Sequence, residues 1–252
     1  MKATIVAVLS LIAVSAASSA NETTGGEKMD LSNAAPALAT YRKNVVLGDL
    51  WKRQQLNPRD RSIVTISALV ARHHLTELPF YIDAALENGV KPSEITEIMT
   101  HLAFYSGWAN ALDAVAVKQK AFAAKGIQDE GRSGAQQLSL NEEAEAKRAE
   151  GVNSQFGDIS PGLVKYTTEV LFRDLWLRPE LAARDRSPVT VSALIASGQV
   201  AQIPYHLNRA MDNGLTSDQA GEVVSHLAFY IGWPNAFSAV SVVKDVVTKR
   251  PK

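Results

Sequence analysis

An internal repeat constrains the fold of this chain more than any other feature of its sequence. The string HLAFYSGWANA at 101–111 returns as HLAFYIGWPNA at 226–236, with nine of eleven positions identical and an offset of 125 residues. The same offset aligns Arg59–Ser62 with Arg184–Ser187. A constant register over about 75 residues indicates duplication, and two copies are too few for a solenoid. We therefore expect two copies of one unit, packed as a pseudo-symmetric pair.

The repeated unit has the sequence pattern of helices. Four apolar residues of the first copy recur at the spacing of one helix face: Ile95, Ile98, Met99 and Leu102. In the second copy Thr216–Gln219 has the form of a capping box, and Gly214 follows a predicted helix end. Ser187 is expected to cap a buried helix with Pro188 at its first position. The pattern predicts an all-α fold of two tandem helical units related by pseudo-two-fold symmetry.

The chain divides into four predicted segments. The first has one charge, Lys2, then an apolar run and small residues before Ala20, which is typical of a secretory signal. We expect export to the periplasm or medium after cleavage near Ala20, with no membrane attachment afterwards. The segments are a signal peptide at 1–20, unit 1 at 36–124, a linker at 125–141 and unit 2 at 142–248.

Charge and cysteine content exclude several classes of function. Lys and Arg number 26 and Asp and Glu number 26, so the net charge is zero. The basic residues form no stripe that could follow a phosphate backbone, which argues against nucleic acid as a partner. The sequence contains no cysteine, so neither disulfides nor thiol chemistry can contribute.

Two Glu–His pairs recur at a spacing of one helical turn, Glu97 with His101 and Glu222 with His226. Such a pair can be a helix-surface ion pair of a few tenths of a kcal/mol. It can also be a histidine whose pKa a carboxylate raises for proton transfer near neutral pH. Tyr230 follows His226 by one further turn and is a candidate substrate contact.

A second candidate segment lies upstream in each unit, HLTELPFY at 74–81 and QVAQIPYH at 199–206. His74, Glu77 and His101 could in principle bind a metal, but the second unit offers no matching ligand set, so we expect none. The tryptophans are expected to anchor the core rather than to bind a ligand. They are Trp51, Trp108, Trp176 and Trp233.

With these motifs in view, the chain resembles the carboxymuconolactone decarboxylase family, which includes the alkylhydroperoxidase D-like proteins. The resemblance is carried by the Arg-x-Arg-Ser motif, the Asn-Gly helix end and the His-x-Ala-x-Tyr-x-Gly string, and it covers both units. It implies an all-α fold whose units associate as trimers or hexamers. A two-unit chain is then expected to form a homo-oligomer, a trimer of chains.

The branches of this family differ in the upstream segment. The peroxidase branch uses Cys-x-x-Cys-x-x-x-His, whose last two positions fall on Glu77 and Tyr81 in unit 1 and on Gln202 and His206 in unit 2. Without a thiol, peroxidase activity is disfavoured. The decarboxylase branch resembles Glu-x-x-x-His, and here that pair is split between Glu77 and His206. It is complete only if the two units share a site.

The resemblance implies a lyase or isomerase that needs no cofactor and acts on a small carboxylated lactone or related organic acid. His206 would move a proton, Glu77 would orient it, and His101 or His226 would stabilise enolate charge as an imidazolium. Arg184 or Arg186 could bind a substrate carboxylate through paired N–H groups, although helix caps and ion pairs are the commoner use of such arginines.

The alternative is a non-catalytic helical binding or assembly protein that kept the fold after the Glu/His pair was lost. The split of Glu77 from His206 motivates this alternative, because fold alone does not determine function.

Overall fold

The computed structural model describes residues 30–128 and 135–250, and these contain helices and no strand. The predicted signal peptide lies outside the described residues. The helices of the first half are α1 Leu31–Ala34, α2 Pro36–Tyr41, α3 Pro58–Ala71, α4 Leu78–Glu87, α5 Pro92–Tyr105 and α6 Trp108–Ala124. Those of the second half are α7 Glu142–Phe156, α8 Pro161–Tyr166, α9 Ala183–Ala196, α10 Ile203–Asp212, α11 Ser217–Ile231 and α12 Trp233–Lys249. The fold is all-α, as the sequence predicts.

Shorter helical turns join these helices. The π-helical turns are Arg42–Val46 and Thr167–Phe172, and the 3₁₀ turns are Leu50–Lys52, Leu175–Leu177 and Val200–Gln202. Of the described residues, 30–40 fall in one compact unit and those from Tyr41 onward in another. Within the first of these units Asp30 caps α1 by accepting a hydrogen bond from the backbone amide of Ser32. The two repeats both lie in the larger unit, from Tyr41 onward.

Helices α3 and α9 pack against each other between the two repeats. Val64 and Ala68 of α3 belong to the core of the second repeat, while Val189 and Ala193 of α9 belong to the core of the first. Each of the two helices thus supplies core residues to the opposite repeat. The four positions match at the offset of 125, so this exchange of core residues is pseudo-symmetric. Each repeat therefore completes its apolar core with residues of the other.

The start of α9 differs from the expectation that Ser187 caps it. The helix begins at Ala183, in register with Pro58 at the start of α3, and Pro188 lies inside it. Proline cannot donate the amide hydrogen bond of a helix interior. Because α9 is buried from Asp185 to Ala196, its packing offsets that missing bond.

A glycine separates the last two helices of each repeat. Gly107 has φ 98° and Gly232 has φ 86°, a left-handed conformation that side chains disfavour, so the chain turns here instead of continuing one helix. The turns place Trp108 and Trp233 at helix starts, 64% and 50% exposed. The prediction that every tryptophan is a core anchor is wrong for these two, although Trp176 is buried.

Candidate functional site

A buried charged network, here called the first network, joins the two repeats. Arg61 Nη2 lies 2.7 Å and Arg53 Nη2 2.9 Å from the carboxylate of Glu222, and the Arg61 and Glu222 side chains are 0% and 2% exposed. His226 accepts from Arg61 at Nδ1 (3.2 Å), and its Nε2 lies 2.7 Å from Thr65 Oγ1. Burial raises the pKa of Glu222, but the hydrogen bonds from Arg53 and Arg61 have the larger combined effect and hold that pKa below its usual value.

The second network repeats this arrangement with the roles of the halves exchanged. Arg178 Nε and Arg186 Nη2 each lie 2.8 Å from the carboxylate of Glu97. His101 Nδ1 lies 3.3 Å from Arg186 Nη1, and its Nε2 lies 2.7 Å from Thr190 Oγ1. Every arginine that binds Glu97 or Glu222 comes from the opposite repeat, so these networks fix how the repeats pack.

These contacts overturn the expected chemistry of the Glu–His pairs. Glu97 and Glu222 bind arginines of the opposite repeat, and burial together with Arg61 lowers the pKa of His226 to about 3. Burial and Arg186 likewise hold the pKa of His101 well below its ordinary value. The prediction that a carboxylate raises the pKa of these histidines is therefore wrong, and their role as imidazolium stays a prediction that neither environment favours. Both rings are neutral and have both nitrogens in hydrogen bonds.

Beside the first network lies an aromatic group that we call the first cluster. Trp51 Nε1 donates to the hydroxyl of Tyr230 (2.8 Å), which donates to the hydroxyl of Tyr81 (3.1 Å). Trp51 and Tyr81 also stack with ring centroids 5.8 Å apart. Burial raises the pKa of Tyr81 and Tyr230, so both remain phenols at neutral pH. Tyr230, a predicted substrate contact, has its hydroxyl bonded to other side chains.

The second cluster has a histidine in the place of Tyr81. Trp176 Nε1 donates to the hydroxyl of Tyr105 (2.8 Å), and His206 stacks on Trp176 with centroids 6.3 Å apart. The rings of Tyr105 and His206 are nearly perpendicular, with centroids 5.2 Å apart. His206 Nδ1 is buried and has no hydrogen-bond partner among the described residues. Burial, with a contribution from Arg209, lowers the pKa of His206 to about 4, so its ring is neutral at pH 7.

Arg209 is the largest chemical difference between the two clusters and was not predicted. It follows His206 by one turn of α10, and its guanidinium lies 4.3 Å over Trp176 and 5.3 Å over Phe172. Its Nε is buried without a partner, and no carboxylate of the described residues lies within 4.0 Å of it. The equivalent position in the first repeat is Ala84. Comparison of these two positions in the sequence could have revealed the arginine.

The structure does not bring Glu77 and His206 together. Glu77 lies one turn before Tyr81, is half exposed and pairs with Arg42 at 3.0 Å. His206 lies in the second cluster and shares no partner with it. The two upstream segments contribute to different clusters, with Tyr81 in the first and His206 in the second. No contact joins the split pair in the described residues, and its shared site stays a prediction.

The two arginines predicted to hold a substrate carboxylate are engaged by the protein. Arg184 binds Asp60 and, at 2.8 Å, Asp185. Arg186 is fully buried on Glu97. Neither guanidinium is free to meet a ligand, whereas Arg209 is.

Within residues 30–128 and 135–250, no group of three or more His, Asp or Glu side chains has the arrangement of a metal site. His74, Glu77 and His101 are not brought together as ligands. Over the same residues, no helix combines the length and the apolar character that crossing a membrane requires.

Comparison with known proteins identifies the family. The model of the carboxymuconolactone decarboxylase family matches the chain twice, over residues 36–120 and 161–245. The chain belongs to this family. Its two matches contain the two networks and the two clusters, including His206 and Arg209.

Two curated relatives of this family member are decarboxylases. One is the 4-carboxymuconolactone decarboxylase of Acinetobacter baylyi, 28% identical over 89 residues, which are 35% of this chain and 66% of the relative. The other is the nitrosuccinic acid decarboxylase of Metarhizium robertsii, 33% identical over 73 residues, 29% of this chain and 51% of the relative. The chain thus spans less than two thirds of either relative, and the similarity supports a decarboxylase-like family.

Proposed function

We propose that this chain is a lyase of the decarboxylase type that needs no cofactor and acts on a small organic acid at the second cluster. His206 is the proton-transfer group. One observation supports this most strongly: His206 replaces Tyr81 of the first cluster, and its buried Nδ1 has no partner in the protein. A buried polar atom without a partner is unfavourable unless a ligand supplies one.

The reaction needs one proton at one carbon. When the bond to the departing CO₂ breaks, its electron pair passes to the neighbouring carbon of the substrate, which then takes a proton. His206 carries that proton as the imidazolium after uptake from water in the bound complex, and returns to the neutral ring on delivery. The rings of Tyr105 and Trp176 fix the plane of the imidazole. In this proposal Glu77, His101 and His226 have no proton-transfer role.

The test is release of CO₂ by the purified chain from a panel of small acids that includes 4-carboxymuconolactone and nitrosuccinic acid. His206→Gln should lower kcat by about 10²- to 10⁴-fold, the range for loss of a general acid or base. Tyr81→Phe, at the matched position of the first cluster, should change kcat by less than about twofold, because that hydroxyl bonds only within the protein. A His206→Gln variant that is as fast as wild type would exclude the assignment.

The alternative function is that of a non-catalytic binding or assembly protein. The first cluster favours it, because its hydroxyl and indole groups bond to one another and leave no acid or base for catalysis. On this alternative the second cluster binds an acid without turnover, and the chain is a binding or assembly protein. Acid binding to wild type with no CO₂ release from any member of the panel would favour it. Export after cleavage near Ala20 and assembly as a trimer of chains remain predictions under either function.

A further inference from the structure

Two guanidinium groups contact the same aromatic ring of the second cluster. Arg148 of α7 lies 4.2 Å over Phe172, and Arg209 of α10 lies 5.3 Å over it. The Arg148 side chain is 8% exposed and pairs with the equally buried Glu145 at 2.7 Å, yet its Nη1 has no partner among the described residues. Three buried nitrogens thus lack partners around Phe172 and Trp176: Arg148 Nη1, Arg209 Nε and His206 Nδ1.

The charges in this region do not balance. Glu145 compensates Arg148, but no carboxylate of the described residues compensates Arg209. The Arg209 side chain is partly buried and its Nε is enclosed without a partner, which is unfavourable, and stacking on Trp176 compensates only a part of the lost hydration. The first repeat avoids this problem with Ala84. An arginine retained there without a partner is expected to gain one from a bound anion.

We propose that Arg209, together with Nη1 of Arg148, is a carboxylate-binding subsite beside His206, and that it holds one carboxylate of the substrate. The role of this subsite in holding the substrate rests on the proposed function, whereas carboxylate binding itself does not. Arginine binds a carboxylate through paired N–H groups, and a bond to an ionised partner is stronger than one between neutral groups. The rings of Phe172 and Trp176 lie against the two guanidinium groups and form the apolar side of the subsite.

Binding at Arg209 has a consequence for His206. The titratable and charged groups around that ring are Arg209 and Tyr205 on its own helix, and Tyr105 and His101 on α5. Of these, Arg209 is the cation that lowers the pKa of His206, after burial. A carboxylate on Arg209 offsets its charge and raises that pKa. The acid thereby helps His206 to take up the proton that the reaction consumes.

The experiment follows the ring Cε1–H signals of the five histidines by NMR during pH titrations of the full chain, with His206 assigned from the His206→Gln variant. The probes are succinate, its uncharged diamide and inorganic phosphate. Succinate should bind and raise the midpoint of His206 by about one pH unit, as a nearby opposite charge does. The diamide should do neither.

Arg209→Ala, which copies the first repeat, should weaken succinate binding at least about tenfold and raise the midpoint of His206 without ligand, since one positive charge is gone. Arg209→Gln gives the same readout if the alanine variant folds poorly. Arg72→Ala removes an exposed arginine of the first repeat and should leave both results unchanged.

Three results would overturn the subsite. Wild type binds no succinate, both Arg209→Ala and Arg209→Gln bind succinate as tightly as wild type does, or wild type binds phosphate more tightly than succinate. These outcomes are separable from failure of the proposed function. If succinate binds through Arg209 but no acid is decarboxylated, the subsite stands and the lyase proposal fails. If turnover depends on His206 while Arg209→Ala leaves KM unchanged, the lyase proposal stands and the subsite fails.

Discussion

Replacement of Glu222 by Gln isolates the contribution of the first network to stability. Glu222 accepts from both Arg61 and Arg53, and the Arg61 side chain is fully buried. After the substitution Arg61 keeps its bonds to the Arg53 carbonyl (2.6 Å) and to His226, but no carboxylate compensates its charge. Removal of one partner of a buried ion pair costs about 3–5 kcal/mol. We expect a loss of that size in the free energy of unfolding.

The matched change in the second network, Glu97→Gln, should cost less. Arg186 lies in the electrostatic field of a second carboxylate, Glu180, whose side chain is 7% exposed. The equivalent position in the first repeat is Gln55, so Arg61 has no such neighbour. The difference between the two variants should reach at least about 1 kcal/mol, which urea unfolding can resolve.

Urea unfolding of wild type and both variants, followed by circular dichroism, measures these losses. Asp245→Asn serves as the control, because its pair with Lys249 is exposed and should contribute less than about 1 kcal/mol. The paired replacement Arg61→Met with Glu222→Leu should recover part of the stability, since it leaves no unpaired charge. The reasoning is refuted if Glu222→Gln costs no more than Asp245→Asn, or if the paired replacement is less stable than Glu222→Gln.

Two further predictions concern pH and assembly. Between the unfolded pKa of histidine, about 6.5, and the folded values of about 4 for His206 and about 3 for His226, the unfolded chain binds more protons, so stability falls as pH falls. Each histidine contributes a slope of up to about 1.4 kcal/mol per pH unit, so unfolding free energies that are equal at pH 7 and pH 5 would contradict the assignment. For assembly, we expect light scattering to give the mass of an oligomer for wild type, and Trp233→Ser with Phe237→Ser to lower it, because both side chains are at least half exposed. A monomeric wild type would refute the predicted trimer.

The helical architecture could be predicted because it depends on local patterns. The capping box of Thr216 and the glycine after α10 depend on neighbours within four residues, and both are present in the structure. The beginning of α9 could not be predicted in this way. Its position follows from burial against α3, which outweighs the local signal of Pro188.

The site was harder to predict because its contacts cross between the repeats. Glu97 has a histidine one turn away in sequence, yet its partners are Arg178 and Arg186, more than eighty residues away. Local spacing therefore suggested an ion pair within one helix that does not exist. Arg209 carries no recognisable motif, and only its contrast with Ala84 distinguishes it.

The exchange of core residues between α3 and α9 also bears on stoichiometry. If two separate copies of one unit packed in this way, their association would depend on protein concentration. Every substitution in the unit would then occur in both copies. Joining them in one chain makes the association intramolecular, which raises the effective concentration of each half for the other. It also frees each half to vary alone, so that His206 and Arg209 can occupy one cluster while the other keeps Tyr81 and Ala84. The loss of stability from the unpaired arginine then occurs once per chain instead of twice.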